Sequence, residues 1–148
     1  MNPIYFDHEK LIVYQKAIQF VSWADDLLQE VQRKAAVKDQ LDRASTSVVL
    51  TIAEGNGKMS PNDRRHFFRI SRGFAVESAA CLDVFVAKRL VAEERIIEGK
   101  KQLFDIVCML MGLINRLDSQ VREEEAEYRI EGESFGFEHE HEHEHEHE

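Results

Sequence analysis

The sequence predicts an all-α fold, an antiparallel up-down-up-down four-helix bundle. Proline and glycine are scarce, with two and seven residues in a chain of 148, which favours long helices over a turn-rich β fold. Apolar residues recur at spacings of three, four and seven in four separate segments, as they do in amphipathic helices. The segments are joined by short connections, and short connections favour antiparallel neighbours.

The first helix is predicted from about Asp7 to Lys34. Phe20 and Trp23 add bulk beside its apolar stripe. The stripe itself, which we expect to face the core, consists of Leu11, Tyr14, Ile18, Val21, Leu28 and Val31.

The second helix is predicted from about Lys38 to Glu54, where a Gly-Asn-Gly turn ends it. Because Glu54 lies at a helix C-terminus, where negative charge is unfavourable, we expect an arginine such as Arg43 or Arg72 of another helix or subunit to pair with it. The face predicted to be buried contains Leu41, Ala44, Ser45, Val48 and Ile52. A second stripe on the far side is the candidate subunit interface or structural ion-pair surface, and it consists of Arg43, Ser47, Leu50 and Glu54.

The third helix begins with Ser60 as N-cap and Pro61 at the first helical position, and it continues to about Leu90. Its apolar stripe is predicted to contain Phe67, Ile70, Phe74, Ser78, Cys81 and Phe85. The fourth helix is predicted from about Glu93 to Val121. Its stripe has the three-four spacing of bundle packing, with Ile96, Leu103, Ile106, Leu110, Leu113 and Leu117.

The bundle is therefore expected to occupy residues 1–122, followed by an acidic, partly disordered extension over 123–137. Residues 138–148 alternate Glu and His. This alternation is typical of an engineered affinity tag, and a natural metal-buffering tail is the alternative. In either case we expect no metal site in the body of the chain. The imidazoles expected to bind metal lie only in this tail, at His139, His141, His143, His145 and His147.

Charge and composition limit the function classes. The net charge is −9, from 28 acidic and 19 basic residues; removing the six Glu of the tail leaves 22 against 19, or about −3. A weakly acidic body argues against a protein that coats nucleic acid without specificity, but it allows one basic face. The apolar runs are too short to span a membrane, and no signal peptide is recognisable at the N-terminus, so we expect a cytoplasmic protein. We expect Cys81 and Cys108 to be reduced core thiols.

Three stretches of the sequence carry a family resemblance. Residues 6–17, FDHEKLIVYQKA, resemble the opening F-x-D-L-x-V-W-Q-K-A of a known group. Residues 52–58, IAEGNGK, resemble its I-A-E-G-x-G-R signature, and residues 67–73, FFRISRG, with Ser60 before and Glu77 after them, resemble its next element. Tyr14, Thr51 and Phe74 depart from the common Trp, Asn and Ser. The group is the bacterial four-helix-bundle, or 23S rRNA intervening-sequence protein, family, and the resemblance covers about residues 6–117.

The resemblance implies a four-helix bundle that assembles as a ring-like pentamer. The family includes the accessory variability protein of diversity-generating retroelements, which binds nucleic acid and a reverse transcriptase through a basic surface. Other members lie in inserts of ribosomal RNA genes and have no settled biochemical role. The family carries no known catalytic site, so the resemblance implies no enzymatic activity and no cofactor.

The candidate nucleic-acid surface is a basic stripe on the third helix, because arginine's planar fork suits phosphate. Arg43 and Lys38 could widen it, and RNA is favoured over DNA. The alternative is a solvated face paired with Asp63 or with acids of neighbouring helices. The residues of the stripe and its surroundings are Arg65, Arg69, Arg72, Lys58, Arg64 and His66.

Two competing functions are weighed against nucleic-acid binding. One is a protein-interaction or scaffold module, which needs an exposed apolar patch. The other is a small enzyme or metal protein, which the isolated positions of His8 and His66 disfavour, because bundle metal sites place ligands at paired helical spacings.

Overall fold

The structure, a computed structural model, describes the backbone of residues 3–144 and the side chains of residues 3–134. His145 and His147 of the predicted tag lie outside the described residues, as do the side chains of the other three tail histidines. Within the described part all regular elements are helical, which confirms the all-α fold. The four helices are α1 (Ile12–Glu30), α2 (Ala36–Asn56), α3 (Pro61–Ala87) and α4 (Ile97–Glu144), with short 3-10 turns at Asp7–Lys10 and Glu93–Ile96.

The helices pack as a bundle in which α1 and α3 each contact both α2 and α4. Two ion pairs show the relative direction of α3 and α4. Arg65 near the start of α3 lies 3.0 Å from Asp118, far along α4, whereas Asp83 near the end of α3 lies 2.6 Å from Lys100 at the start of α4. These two helices therefore run antiparallel. The complete up-down-up-down order stays a prediction.

The face that α1 buries differs from the predicted stripe. Ile18, placed in the stripe, is 44 % exposed, and Leu11, Tyr14, Val21 and Leu28 are only partly buried beside the core. The buried face is offset from the predicted one by one residue, about 100° around the helix. Two of the residues on it are alanines, whose small side chains are fully buried. The buried residues of α1 are Val13, Ala17, Phe20, Ala24 and Leu27.

The predicted core of α2 is confirmed in full, and that of α4 almost in full, since only Leu113 is half-buried. The stripe of α3 is partly right. Phe67, Ile70 and Phe74 are half-buried, while the helix turns more of its surface to the core because it packs against two neighbours. Its buried residues are Phe68, Ser71, Ala75, Ser78, Cys81, Leu82 and Phe85.

The predicted start of α3 is confirmed. The Ser60 hydroxyl accepts a hydrogen bond of 3.1 Å from the backbone N–H of Asp63, and Pro61 opens the helix. The cap satisfies one of the N–H groups that a helix start leaves unpaired. It also fixes the first turn of the helix that carries the candidate basic residues.

Helices α2 and α3 approach each other closely at Gly55. A Cβ atom there would lie 2.9 Å from Cβ of Phe67 and 3.2 Å from the ring of Phe68. Such distances leave no room for any side chain larger than hydrogen. Further along the same contact, the buried hydroxyl of Ser71 donates a 3.0 Å hydrogen bond to the backbone carbonyl of Val48. This bond satisfies a polar group inside the core.

Beyond the core, α4 continues as a helix to Glu144, well past the predicted end near Val121. Among the residues whose side chains are described, Val121 is the last buried one, and every residue from 122 to 134 is exposed. Residues 122–134 thus leave the bundle without packing on it. The partial disorder of the acidic extension stays a prediction.

The two cysteines differ in environment. Cys81 is a buried free thiol, and its burial raises the pKa of the thiol, with Glu77 adding to the effect. The expectation that Cys108 is also a core residue is wrong, because this free thiol is exposed on the outer side of α4. Among the described residues, no helix has the length and apolar character needed to cross a bilayer.

The C-terminal end of α1 is clamped to the start of α4 around Trp23. The Arg95 guanidinium lies 5.3 Å from the Trp23 ring centroid and donates two hydrogen bonds, of 2.8 and 2.7 Å, to the Glu30 carboxylate. The six-membered ring of Trp23 also presses on Gly99, where a Cβ atom would lie 2.3 Å from two of the ring carbons. Only glycine leaves room for the indole here.

We expect Gly99→Ala to destabilise the fold by about 1–3 kcal/mol, because the added methyl group overpacks the contact with Trp23. Urea unfolding followed by Trp23 fluorescence measures the effect. Gly73→Ala is the control, since its added Cβ would meet nothing within 4 Å, and it should gain up to about 1 kcal/mol from reduced chain entropy. Equal stabilities of the two variants would contradict the tight Trp23–Gly99 contact.

The Arg95–Glu30 pair should give the clamp an acid-side pH dependence. The hydrogen bonds from Arg95 hold the pKa of Glu30 below its ordinary value of 4.5. A depressed folded-state pKa stabilises the fold above the unfolded-state pKa, and this contribution is lost as the pH falls through the folded value. We therefore expect wild type to exceed Glu30→Gln in urea midpoint at neutral pH, and the difference to vanish well below pH 4.5. A difference that persists in acid would show that the charge of Glu30 is not its cause.

Candidate nucleic-acid interface

Three arginines, Arg65, Arg69 and Arg72, form a ridge along α3, which we call the arginine ridge. Their spacing of four and three residues places them on one helical face. Because the capped N-terminus of α3 fixes the first turn, the ridge begins at a defined position beside α4. The structure thus brings together the three residues at the centre of the predicted surface.

Asp118 of α4 holds the first two arginines of the ridge. Its Oδ1 atom lies 3.0 Å from Nη1 of Arg65 and 3.2 Å from Nη2 of Arg69. Arg65 also donates a 2.7 Å hydrogen bond from Nη2 to the side-chain oxygen of Asn62. Two guanidinium groups therefore share one carboxylate, so the cluster keeps a surplus positive charge.

The exposure of the ridge is greatest at its middle residue, Arg69. The side chain of Arg65 is 20 % exposed and that of Arg69 is 48 % exposed. Arg72 is half-buried and pairs with no acid among the described residues. Arg69 consequently offers the most accessible N–H donors, whereas Arg65 is oriented by its two partners.

Asp118 is the residue that the sequence pattern did not single out. The sequence led us to expect that the arginines pair with Asp63 or with an acid on a neighbouring helix, but it did not identify that acid. Asp118 directly follows the core residue Leu117, a position that reveals nothing about α3 until the register of α3 against α4 is known. The predicted ion pairing is thus confirmed in kind, and it neutralises the ridge only in part.

Lys58 and Arg64 are less suited to the ridge. The ammonium group of Lys58, in the loop before α3, lies 4.9 Å from the Phe67 ring centroid and stays exposed. Arg64 points to α2 instead, and its Nη2 atom donates a 3.2 Å hydrogen bond to the side chain of Asn56. One residue along a helix is a rotation of about 100°, which separates Arg64 from Arg65.

The Arg64 contact continues to the N-terminal 3-10 turn. The amide of Asn56 donates a 2.9 Å hydrogen bond to the Asp7 carboxylate. This bond, helped by the charges of Lys10, Arg64 and His8, lowers the pKa of Asp7. Arg64 therefore fastens the N-terminal turn to the α2–α3 junction, and this structural role competes with ligand binding.

Lys38 does not widen the ridge, and that expectation is wrong. Its Nζ atom donates a 2.6 Å hydrogen bond to the carbonyl of Val31 in the loop between α1 and α2. Nearby, Gln40 is hydrogen-bonded to Glu77 in the second half of α3. The start of α2 thus lies beside the part of α3 that follows the ridge, away from Arg65.

The second stripe of α2 is largely open to solvent. Leu50 is 54 % exposed, Arg43 and Glu54 are exposed, and Ser47 is half-buried. Glu54 makes no ion pair within the described residues. Its partner in another subunit stays a prediction, as does the assignment of this stripe to a subunit contact.

The histidines of the body pack against aromatic rings. His8 stacks on Phe6 and meets Tyr14 edge-on, and His66 meets Phe67 edge-on. In the described part of the chain, no group of three or more His, Cys, Asp and Glu side chains is placed to hold a metal ion.

Comparison with known proteins places the chain in a family. The sequence model described as 23S rRNA-intervening sequence protein matches residues 9–112. The chain belongs to this family. The predicted resemblance is confirmed over nearly the whole range on which it was based, and the arginine ridge lies inside the matched region.

A solved structure supports the fold of this 23S rRNA-intervening sequence protein. It is a protein of unknown function from the S23 ribosomal protein family of Bacteroides thetaiotaomicron, with 20 % identity and a TM-score of 0.67. The likeness covers 70 % of this chain and 98 % of that one. Comparison with curated proteins gives no match. The similarity therefore establishes the fold, and function has to be argued from the surfaces.

We expect Leu50→Glu to lower the oligomer mass measured by light scattering, because it places a charge in the predicted subunit contact on α2. Met59→Glu is the matched control, since Met59 is 97 % exposed in the loop after α2. It should leave the mass unchanged. An unchanged oligomer mass for Leu50→Glu would show that this stripe of α2 does not form the subunit interface.

Proposed function

We propose that the protein is a non-catalytic, self-assembling helical bundle that binds nucleic acid, RNA in preference to DNA, through the arginine ridge of α3. The observation that carries this proposal is the sharing of Asp118 by two arginines. With Arg72 included, the three arginines have a single acidic ion-pair partner, Asp118, among the described residues. The ridge is therefore a local cationic surface on a chain whose body is weakly acidic.

The pairing with Asp118 has a second consequence for binding. A carboxylate that holds two guanidinium groups reduces the side-chain freedom that a phosphate ligand would otherwise have to remove. Arg69 uses one of its terminal nitrogens on Asp118 and keeps the other donors for a ligand. The same carboxylate also repels phosphate, so Asp118 limits affinity while it orders the donors.

Binding of a structured RNA and a duplex DNA to the full chain, titrated against salt, tests this proposal. We expect RNA affinity to fall as salt rises, because bound phosphates release counterions. The triple variant Arg65→Glu, Arg69→Glu and Arg72→Glu should lose binding at low salt. Asp118→Asn should bind more tightly than wild type, because it removes the only acid paired with the ridge among the described residues.

The matched control is Lys34→Glu, Lys88→Glu and Arg89→Glu, which changes the net charge equally at exposed positions outside the ridge. It should reduce affinity only weakly. Equal losses in the two triple variants would show that net charge, and not the ridge, governs binding. No RNA binding by wild type at low salt would overturn the proposal.

A protein-interaction or scaffold module without nucleic-acid binding is the second candidate function. A specific observation favours it, because large apolar side chains are exposed on α3 and α4 beyond the ridge. Phe104 is 68 % exposed and Val76 is 55 % exposed. Exposed apolar patches of this kind commonly mark protein contacts.

A further inference from the structure

A row of three exposed residues runs along the outer side of α3, and its middle member belongs to the arginine ridge. His66, Arg69 and Gly73 follow one another at spacings of three and four residues, and all three are exposed. The row covers an arc of about 60° around the helix and a length of about 10 Å. It places an aromatic ring, a guanidinium group and a gap in sequence, and we call it the outer row of α3.

His66 places its ring one helical turn before Arg69. Residues three apart on a helix are surface neighbours, with Cβ atoms about 5–6 Å apart. The Phe67 ring meets the imidazole edge-on, with 5.7 Å between the ring centroids and 81° between the planes. Phe67 lies close to α2 at Gly55, whereas Arg69 contacts α4 at Asp118. The imidazole therefore has a packing partner on the α2 side and the ridge on the other.

Gly73 leaves a gap in the row one turn beyond Arg69. A Cβ atom at this position would meet no side chain and no other helix within 4 Å, so the missing side chain does not serve packing inside the bundle. Glycine is also the least favourable residue after proline in a helix interior. The gap lets an external chain approach the backbone of α3 closely, next to the guanidinium groups of Arg69 and Arg72.

We infer that the outer row binds an unpaired stretch of RNA, with a nucleobase stacked on His66, phosphates on Arg69 and Arg72, and the strand passing over Gly73. This inference rests on the proposed function and names the form of RNA that the ridge takes. In a duplex the base faces are covered by their neighbours in the stack, so a duplex offers the row only its backbone. An unpaired strand offers phosphates and free base faces together.

The charges around the row favour the same choice. Binding to a duplex without base contacts depends on the number of phosphates that are neutralised, and Asp118 already offsets part of the ridge. Two acids of α3 bound the row. Asp63 is exposed one turn before His66, and Glu77, one turn beyond Gly73, is half-buried and hydrogen-bonded to Gln40. Few phosphates fit between these acids, whereas stacking on a ring adds affinity that does not depend on charge.

Fluorescence anisotropy of the full chain with two labelled probes tests the inference. One probe is a single strand of about twelve uridines, within the range of single-strand site sizes, and the other is the same strand annealed to oligoadenylate. We expect the single strand to bind at least about fivefold more tightly at equal salt, because one stacked base corresponds to roughly five- to hundredfold in affinity.

Substitutions of His66 separate stacking from charge. His66→Ala should weaken single-strand binding by at least about fivefold and leave duplex binding unchanged. His66→Phe should keep the preference for the single strand, since its ring stacks but carries no charge. Phe104→Ala is the matched control, because Phe104 is an exposed ring on α4 outside the row, and it should leave both affinities unchanged. Loss of the preference in His66→Phe, or equal losses in His66→Ala and Phe104→Ala, would overturn the stacking role of His66.

Filling the gap at Gly73 tests the path of the strand. Gly73→Leu should weaken single-strand binding by at least about fivefold, although its melting temperature should not fall, because leucine favours the helix and enters open space. Gly112→Leu is the control, since a Cβ atom at Gly112 also meets nothing within 4 Å and Gly112 lies on α4. Unchanged affinity in Gly73→Leu would overturn the close approach at this position.

The outcomes for the two probes also separate this inference from the proposed function. A duplex bound as tightly as the single strand, with both lost in the triple arginine variant, would overturn the inference and leave the ridge as a phosphate-binding surface. In that case the exposed side of α3 beyond the ridge is left for a protein partner. Absence of binding to either probe and to structured RNA at low salt would overturn both.

Discussion

The close approach of α2 and α3 at Gly55 is the constraint on which the functional surfaces depend. With no side chain at this position, Phe67 and Phe68 pack directly on the end of α2. The short turn that follows then delivers Ser60 and Pro61 to the start of α3 in a fixed orientation. The glycine of the I-A-E-G signature thus has a physical reason, since any larger residue would push α3 and its arginines away from the bundle.

From this junction the polar residues at the start of α3 divide between two neighbours. Arg64 points to α2 and, through Asn56, fastens the N-terminal turn. Arg65, one residue later, points to Asp118 of α4. Sequence alone shows a run of basic residues, and the helical rotation between adjacent positions decides which of them remain for a ligand. The accessible basic surface is therefore narrower than the run of basic residues in the sequence.

Signals that are local in the sequence predicted much of the fold. The features they missed depend on how one helix is aligned against another. The cap at Ser60 and the core stripe of α2 were predictable, because each depends on neighbours within one or two turns. The buried face of α1 was not, since Ala17 and Ala24 carry little hydrophobic weight and yet are fully buried. The ridge was predictable from the spacing of its three arginines. The pairing of Asp118 with the ridge and the hydrogen bond of Lys38 to Val31 were not predictable. Both depend on which residues of other segments lie opposite.

The proposed self-assembly and the proposed RNA binding bear on each other. A ridge with a surplus of only about two charges would bind a phosphate backbone weakly by itself. Several ridges held at fixed separations in one oligomer would meet a long RNA at a raised effective concentration. Self-assembly would thus give a weakly acidic protein a route to useful affinity without a strongly basic surface.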